Sequence, residues 1–334
     1  MQLKILALTD HIAHSKENSV YALLRKVREH PLCEFVDVVS RGNPANRVFF
    51  EEFSTNQLYA TRVPEDFAYQ TTGSQFINKT KKVKVEDYDC ILMRLPRPLE
   101  DDFLNYLESV FPDKPIINSP SGIIETSSKA FLLNFPEQCP PMKLCTTPAD
   151  VREFAARFPI VLKPLRSYGG RGIVKIEKGV VYGEGDPVNF KVFLLDLEEI
   201  MEEETFLAMK YMSNVSQGDK RIIVVNGQIM GASLRIPADG SWLCNVAQGA
   251  TSELATADED EQAIVEALNP TLLEKGILIY GVDTLMGDDG KRILSEINTM
   301  SVGGLVQAET QSGSPVLQNI VDLFFDYILK QIKT

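Results

Sequence analysis

Histidine, cysteine and basic charge are all scarce in this sequence. The three histidines, His11, His14 and His30, lie near the N-terminus and leave little for a histidine-based metal centre. The five cysteines (Cys33, Cys90, Cys139, Cys145 and Cys244) are scattered, odd in number and form no CxxC pair. That fits free thiols in a reducing, cytoplasmic setting better than a disulfide scaffold. No apolar run approaches the roughly 18 residues of a membrane span. The opening Met1-Gln2-Leu3-Lys4-Ile5 lacks the basic stretch and apolar core of a secretory signal. GxxxxGK[ST] and GxGxxG are absent, so neither a Walker loop nor a dinucleotide fingerprint is present. Lysine and arginine number 34 against 46 aspartates and glutamates, a net charge of −12. This disfavours nucleic acid and anionic membranes, which want a basic face.

What is present is ample core material: 44% of the 334 residues are hydrophobic. The length predicts about two domains, or three small ones. The first third alternates strand and helix: strands at Lys4–Leu8, Glu34–Val39, Cys90–Leu95 and Pro115–Asn118, helices at Val20–Val27 and Asp102–Phe111. That rhythm predicts a parallel sheet covered by helices. Residues 41–84 are polar and weakly patterned and read as an irregular insertion. A boundary falls at Asn118-Ser119-Pro120, where Ser119 caps a helix expected to run to about Leu133. A helix follows at Pro148–Arg157, then strands at Ile160–Lys163, Ile173–Ile176, Phe206–Met212, Arg221–Val225 and Gln228–Ile236. Asn226-Gly227 is a hairpin turn signal. Helices close the chain at 258–274 and 315–331.

Four constellations carry chemistry. Between Gly281-Val282-Asp283 and Glu296-Ile297-Asn298, two strand-like runs flank Met286-Gly287-Asp288-Asp289-Gly290. A two-residue turn at Asp289-Gly290 sets Asp283 opposite Glu296, with Asn298 on the same face. Opposed carboxylates repel unless a cation lies between them, and two carboxylates with an amide oxygen suit Mg²⁺ carrying substrate phosphates. A three-residue loop would instead flip the faces and leave ordinary surface acids. Second, Lys163-Pro164 precedes the loop Gly169-Gly170-Arg171-Gly172, whose glycines let backbone N–H groups approach phosphate, although a plain turn has the same composition. Third, Lys129 follows the capped helix start and is otherwise a solvated lysine. Fourth, Gly218-Asp219-Lys220-Arg221 leads into an apolar strand and Arg235 ends the next. Such arginines form weak surface ion pairs or clamp a phosphoryl group.

Taken in order, Lys129, Lys163 with its glycine loop, Ala208-Met209-Lys210-Tyr211-Met212, Gly218-Asp219-Lys220-Arg221, Arg235-Ile236-Pro237, Asn245, Asp283 and Glu296-Ile297-Asn298 resemble the ATP-grasp ligases, and within them the prokaryotic glutathione synthetases. The resemblance is strongest over residues 116–305 and looser over Leu8-Thr9-Asp10, Asn18-Ser19 and Ile91-Leu92-Met93-Arg94. It implies an α/β ATP-grasp fold: a Rossmann-like N-terminal substrate domain (1–118), a central and lid subdomain (119–205) and a C-terminal catalytic subdomain (206–334). It implies that Lys129, Lys163, Gly169 and Gly170 hold ATP phosphates, that Lys210 and Met212 meet the adenine edge, and that Asp219 accepts from the ribose. Asp283, Glu296 and Asn298 would bind Mg²⁺ or Mn²⁺. Arg221, Arg235 and Asn245 would stabilise the transferring phosphoryl group and the oxyanion that follows. Arg94 and Ser301 would contact substrate. The implied reaction joins γ-glutamylcysteine to glycine through an acyl phosphate, in a cytoplasmic homo-oligomer whose partners are small molecules.

The chain departs from the family pattern on the substrate side. Where the family usually shows Met-Arg-Lys-Asp-Pro-Pro, this chain has Met93-Arg94-Leu95-Pro96-Arg97-Pro98. Leu243 stands where an arginine is common, and Ser301-Val302-Gly303 where Ser-Pro-Thr is common. The turn between Asp283 and Glu296 is longer. Another ATP-grasp amino-acid or peptide ligase, such as a γ-glutamyl ligase, therefore stays open, as does a nucleotide-binding protein without turnover. The acidic surplus concentrates in two stretches without a base, 196–204 with six acids and 258–266 with five. Both read as solvated helix faces, which leaves room for a small cationic cleft.

Overall fold

The computed structural model describes residues 2–167, 169–238, 242 and 251–333. The N-terminal elements are β1 (Leu3–Thr9), α1 (Val20–Glu29), β2 (Cys33–Ser40), α2 (Arg47–Phe50), β3 (Gln57–Arg62), β4 (Lys81–Lys84), β5 (Cys90–Met93), α3 (Asp101–Val110) and β6 (Ile116–Ile117). They form one sheet in the order β4-β3-β2-β1-β5-β6, parallel from β2 to β6. Leu3, Ile5, Leu6, Ala7 and Leu8 are all fully buried, as a strand covered on both faces requires.

Residues 41–84 are not an irregular insertion. They supply α2 and two antiparallel strands that extend the sheet beyond β2. Edge strands need apolar residues on one face only, so their sequences look polar. Leu58 and Ala60 are buried, and Lys81, Lys82 and Lys84 face solvent. The Asn46 amide pins the segment, donating to Ser40 O and Tyr59 O, both at 3.1 Å, and accepting from Tyr59 N at 2.7 Å.

The second sheet follows α4 (Pro120–Thr126) and is built from β7 (Met142–Cys145), β8 (Ile160–Pro164), β9 (Val174–Glu177), β10 (Val180–Tyr182), β11 (Val188–Asn189) and β12 (Phe206–Lys210), with α5 (Pro148–Ala155) and α6 (Phe190–Ile200) packed on it. Its order is β11-β10-β9-β8-β12-β7. By pairing, β12 belongs here although it lies past residue 205. The third sheet, in the order β15-β14-β13-β16-β17, contains β13 (Asp219–Val225), β14 (Gln228–Ile236), β15 (Thr251–Ala255), β16 (Ile279–Met286) and β17 (Arg292–Asn298). Around it lie α7 (Glu259–Glu274), α8 (Leu305–Ser312) and α9 (Val316–Lys333). Asn226 and Gly227 have φ of 50° and 74°, as a primed hairpin turn requires.

The helix expected to reach Leu133 stops at Thr126. Ser127 and Ser128 follow, both poor helix formers, and the Ser128 side chain caps a separate 3-10 turn over Lys129–Asn134. The N-terminal and C-terminal sheets are tied together by Asn118. Its side chain accepts from Leu278 N and Ile279 N, each at 2.9 Å, and donates to Ile279 O and Thr299 O at 2.6 and 2.7 Å. Among the described residues no helix is long and apolar enough to cross a membrane.

Candidate active site

The β16–β17 hairpin sets Asp283 opposite Glu296 by an unexpected route. Gly287 N donates to Lys291 O at 2.8 Å, so the loop holds three residues, not two. That alone would turn Glu296 to the other face. The register then shifts between Asp283 and Thr284, which pairs with Leu294, leaving Ser295 as an extra residue. This β-bulge restores the facing pair. The bulge is also used: Ser295 O accepts from the Lys163 ammonium at 3.3 Å, and Ser295 Oγ donates to Asp283 O at 3.0 Å.

Asp283 is 4% exposed and ringed by cations. Arg221, opposite it on β13, forms a bidentate pair with it, the Nη2–Oδ2 contact measuring 2.7 Å. Arg235 Nη2 lies 3.1 Å from the same carboxylate, and Arg235 also grips Asp219 bidentately, with Nε–Oδ1 at 2.8 Å. Burial pushes the Asp283 carboxyl up, but Arg221 and Arg235 outweigh it and hold the group below its usual range. Burial raises Asp219 to about 6 against the opposing effect of Arg235. Asn298 Nδ2 donates to Asp283 Oδ2 at 3.3 Å.

Lys129 and Lys163 enter from the central domain. Both are buried, at 6% and 9% exposure. Lys163 extends from β8 toward the third sheet, with Met209 Sδ at 3.7 Å. Lys129 donates to Ser167 O at the base of the glycine loop, and its backbone N–H bonds Leu165 O at 3.0 Å. Burial lowers the Lys129 ammonium to about 8, with Glu296 acting against that shift and Lys163 and Arg97 adding to it. Burial likewise lowers Lys163, again opposed by Glu296. Two desolvated ammonium groups near one carboxylate have the electrostatics of an anion site. In the loop, Gly169, Gly170 and Gly172 have φ of 69°, 82° and 67°, and the space beside Gly169 is open. Arg166, just before it, grips Asp101 of the N-terminal domain at 2.8 and 2.9 Å.

Between the second and third sheets lies a cleft of about 100 Å³. Lys163, Lys210, Met212, Asp219, Asp283 and Glu296 line it, with apolar walls from Val161, Ile173, Met209 and Leu285. Seven residues expected to act together therefore converge here: those six line the cleft, and Arg221 is bound to Asp283 at its wall. Arg235 stands behind, on Asp219 and Asp283. Arg94 and Ser301 line a separate small cavity between the domains. There Arg94 Nη2 donates to Val302 O at 2.8 Å, its Nε has no hydrogen-bond partner among the described residues, and Ser301 Oγ donates to Leu95 O at 2.7 Å. Asn245 and Leu243 lie outside the described residues.

Sequence reasoning missed two features. Arg97 is half-buried and feels the charges of Glu296 and Arg166; its signal is the second arginine in the Met93–Pro98 stretch. The other is a buried network behind the cleft. Glu261 was read as part of a solvated acidic face, yet it is fully buried. It accepts from Lys220 Nζ at 2.7 Å and Thr284 Oγ1 at 2.6 Å, with Arg292 Nε at 3.9 Å. One turn of helix carries exposed and buried positions alike, so a charge run does not report on each member.

Solved structures share this architecture. A D-cycloserine synthetase matches with a TM-score of 0.68 at 15% identity, covering 97% of this chain and 99% of that one. A D-alanine–D-alanine ligase from Bacillus anthracis, complexed with ATP, matches at 0.59 and 13% identity, covering 99% of each chain. The fold is that of the ATP-grasp ligases. Within this class, the chain belongs to the prokaryotic glutathione synthetase family, whose ATP-grasp domain model matches residues 128–313. A glutathione synthetase of Rhodopseudomonas palustris is 27% identical over 97% of this chain and 98% of its own length. One from Pseudomonas syringae pv. tomato is 32% identical over 75% of each.

Proposed function

We propose that this ligase forms glutathione from γ-glutamylcysteine, glycine and ATP. The observation that carries the reading is the convergence of Lys163, Arg221, Asp219, Asp283 and Glu296 on one cleft, in a chain whose relatives along nearly its full length are glutathione synthetases. A terminal carboxylate oxygen of γ-glutamylcysteine attacks the γ-phosphorus of ATP, and the bond to ADP breaks. The glycine amine then attacks the acyl carbon, loses a proton and expels inorganic phosphate. No covalent bond to the enzyme is required. Lys129 and Lys163 neutralise phosphate charge, and Arg221 and Arg235 oppose the charge that develops on the transferring group. Gly169 and Gly170 let the loop approach the phosphates and exclude water from the acyl phosphate.

Glu296, Asp283 and Asn298 would hold a hard divalent cation, which we take to be Mg²⁺, once Arg221 and Arg235, which occupy both Asp283 oxygens in this structure, turn to the nucleotide phosphates. Glu296 lines the cleft with Asp283, and among the described residues no group of three His, Cys, Asp or Glu side chains is gathered, here or elsewhere. When bound, the ion would supply positive charge against the nucleotide phosphates. Residues 1–118 then form the substrate domain, with the second sheet, through β12, and the third sheet as the two halves around ATP. Four buried free cysteines, Cys33, Cys90, Cys139 and Cys145, support a reducing, cytoplasmic setting. A homo-oligomer is the expected assembly, which sedimentation tests directly.

One observation favours a second reading, a ligase of the same class with another substrate pair. Leu95 and Pro96 stand where the family carries a lysine and an aspartate, while Arg97 adds a cation within the electrostatic reach of Glu296. ADP release with γ-glutamylcysteine, with and without glycine, beside a panel of other carboxylates and amines, separates the two. Glycine-dependent release supports the first; release only with another pair supports the second.

A further inference from the structure

The turn joining β16 to β17, longer in this chain than the family pattern, holds a set of contacts that the ligase chemistry does not use. Asp288 Oδ2 accepts from Lys210 Nζ at 2.6 Å. Its Oδ1 accepts from Ser213 N at 3.2 Å and from Ser213 Oγ at 2.9 Å. Beside it, Asn214 Nδ2 donates to Gly287 O at 2.8 Å. One contact runs from the β16–β17 turn to Lys210 at the end of β12, in the second sheet, and three run to the 3-10 turn that follows it. They grip both sides of Lys210–Met212, the stretch whose backbone would meet the adenine edge.

A local need explains the grip. A 3-10 turn, Ser213–Gln217, begins directly after Met212, and a methionine side chain cannot cap it. The first N–H of that turn is satisfied by Asp288 instead. A lone exposed ion pair is worth little, but here one carboxylate takes three donors while the adjoining carbonyl takes a fourth. The same hairpin carries Asp283 and Glu296 at its base, so a single rigid element spans the carboxylate end and the base end of the cleft.

We propose that this turn is a clasp for nucleotide binding, with Asp288 a positioning residue that holds Lys210–Met212 against the base. The inference rests on the reading of the cleft as an ATP site. In the full-length enzyme, Asp288→Ala should raise KM for ATP and the calorimetric Kd for ADP about three- to tenfold, with kcat within about twofold. Asp288→Asn, which still accepts from Ser213 but lacks the charge for Lys210, should fall between. Lys291→Ala, an exposed change in the same turn, should match the unaltered enzyme. Wild-type ADP affinity in Asp288→Ala, or a loss of kcat at unchanged KM, overturns the clasp while leaving the ATP site standing. If the unaltered chain itself fails to bind ADP, both the clasp and the ATP reading fall.

Discussion

Replacing Glu261 by alanine should destabilise the enzyme more than any exposed substitution on the same helix. Glu261 is fully buried. Its carboxylate satisfies Lys220, Thr284 and the backbone N–H of Asp258, the last at 3.0 Å within a reciprocal capping box. Removing it leaves Arg292, already with an unpartnered Nε, without its nearest counter-charge. Lys220 retains Asp258 at 3.1 Å and Thr256 O at 3.0 Å. Breaking a buried ion pair from one side costs about 3–5 kcal/mol, and the retained contacts of Lys220 favour the lower end of that range. At about 1.4 °C per kcal/mol for a chain of this length, Tm should fall by roughly 4–7 °C. Thermal unfolding followed by circular dichroism at neutral pH reads this directly. Glu261→Gln, which keeps the shape and an acceptor for Thr284, should lose less. Glu266→Ala, at an exposed position of the same helix, is the control. Equal Tm values for Glu261→Ala and Glu266→Ala would refute the reasoning.

Two further outcomes concern the cleft. Lys129 is held near 8 in the ligand-free enzyme, so kcat/KM for ATP should be level below that pH and decline above it as the ammonium loses its proton; Lys129→Arg, which stays charged, should remove that limb, and an unchanged limb would contradict the assignment. Glu296→Gln should lower divalent-dependent turnover about 100-fold or more with little change in Tm. Because Glu296 raises Lys129, the alkaline limb in that variant should move to lower pH.

Much of this was legible in the sequence because it lies in strong local signals. Alternation named the parallel strands, Asn226-Gly227 named its hairpin, and the order of lysines, arginines and carboxylates named the class. The misreadings share a physical cause, which is that tertiary contacts override local pattern. The Asp283–Glu296 pairing was expected from a two-residue turn, but a three-residue loop and a bulge at Ser295 produce it, two deviations whose effects on the faces cancel. The strands over 57–62 and 81–84 looked irregular because only one face of each is covered. Glu261 looked like one acid among several because nothing in its neighbours announces that Lys220 and Thr284 reach it from other strands. Arg97 is placed by the chain's return to the domain boundary, not by a motif.

The central claim is that ATP activates a substrate carboxylate in this cleft. It is tested most directly by following oxygen. γ-Glutamylcysteine carrying heavy oxygen in its terminal carboxylate is supplied with ATP, a divalent cation and glycine, and the released phosphate is analysed by mass spectrometry. Passage through an acyl phosphate transfers one labelled oxygen to phosphate for each glutathione formed. Unlabelled phosphate, or ADP release that ignores glycine, would contradict the account.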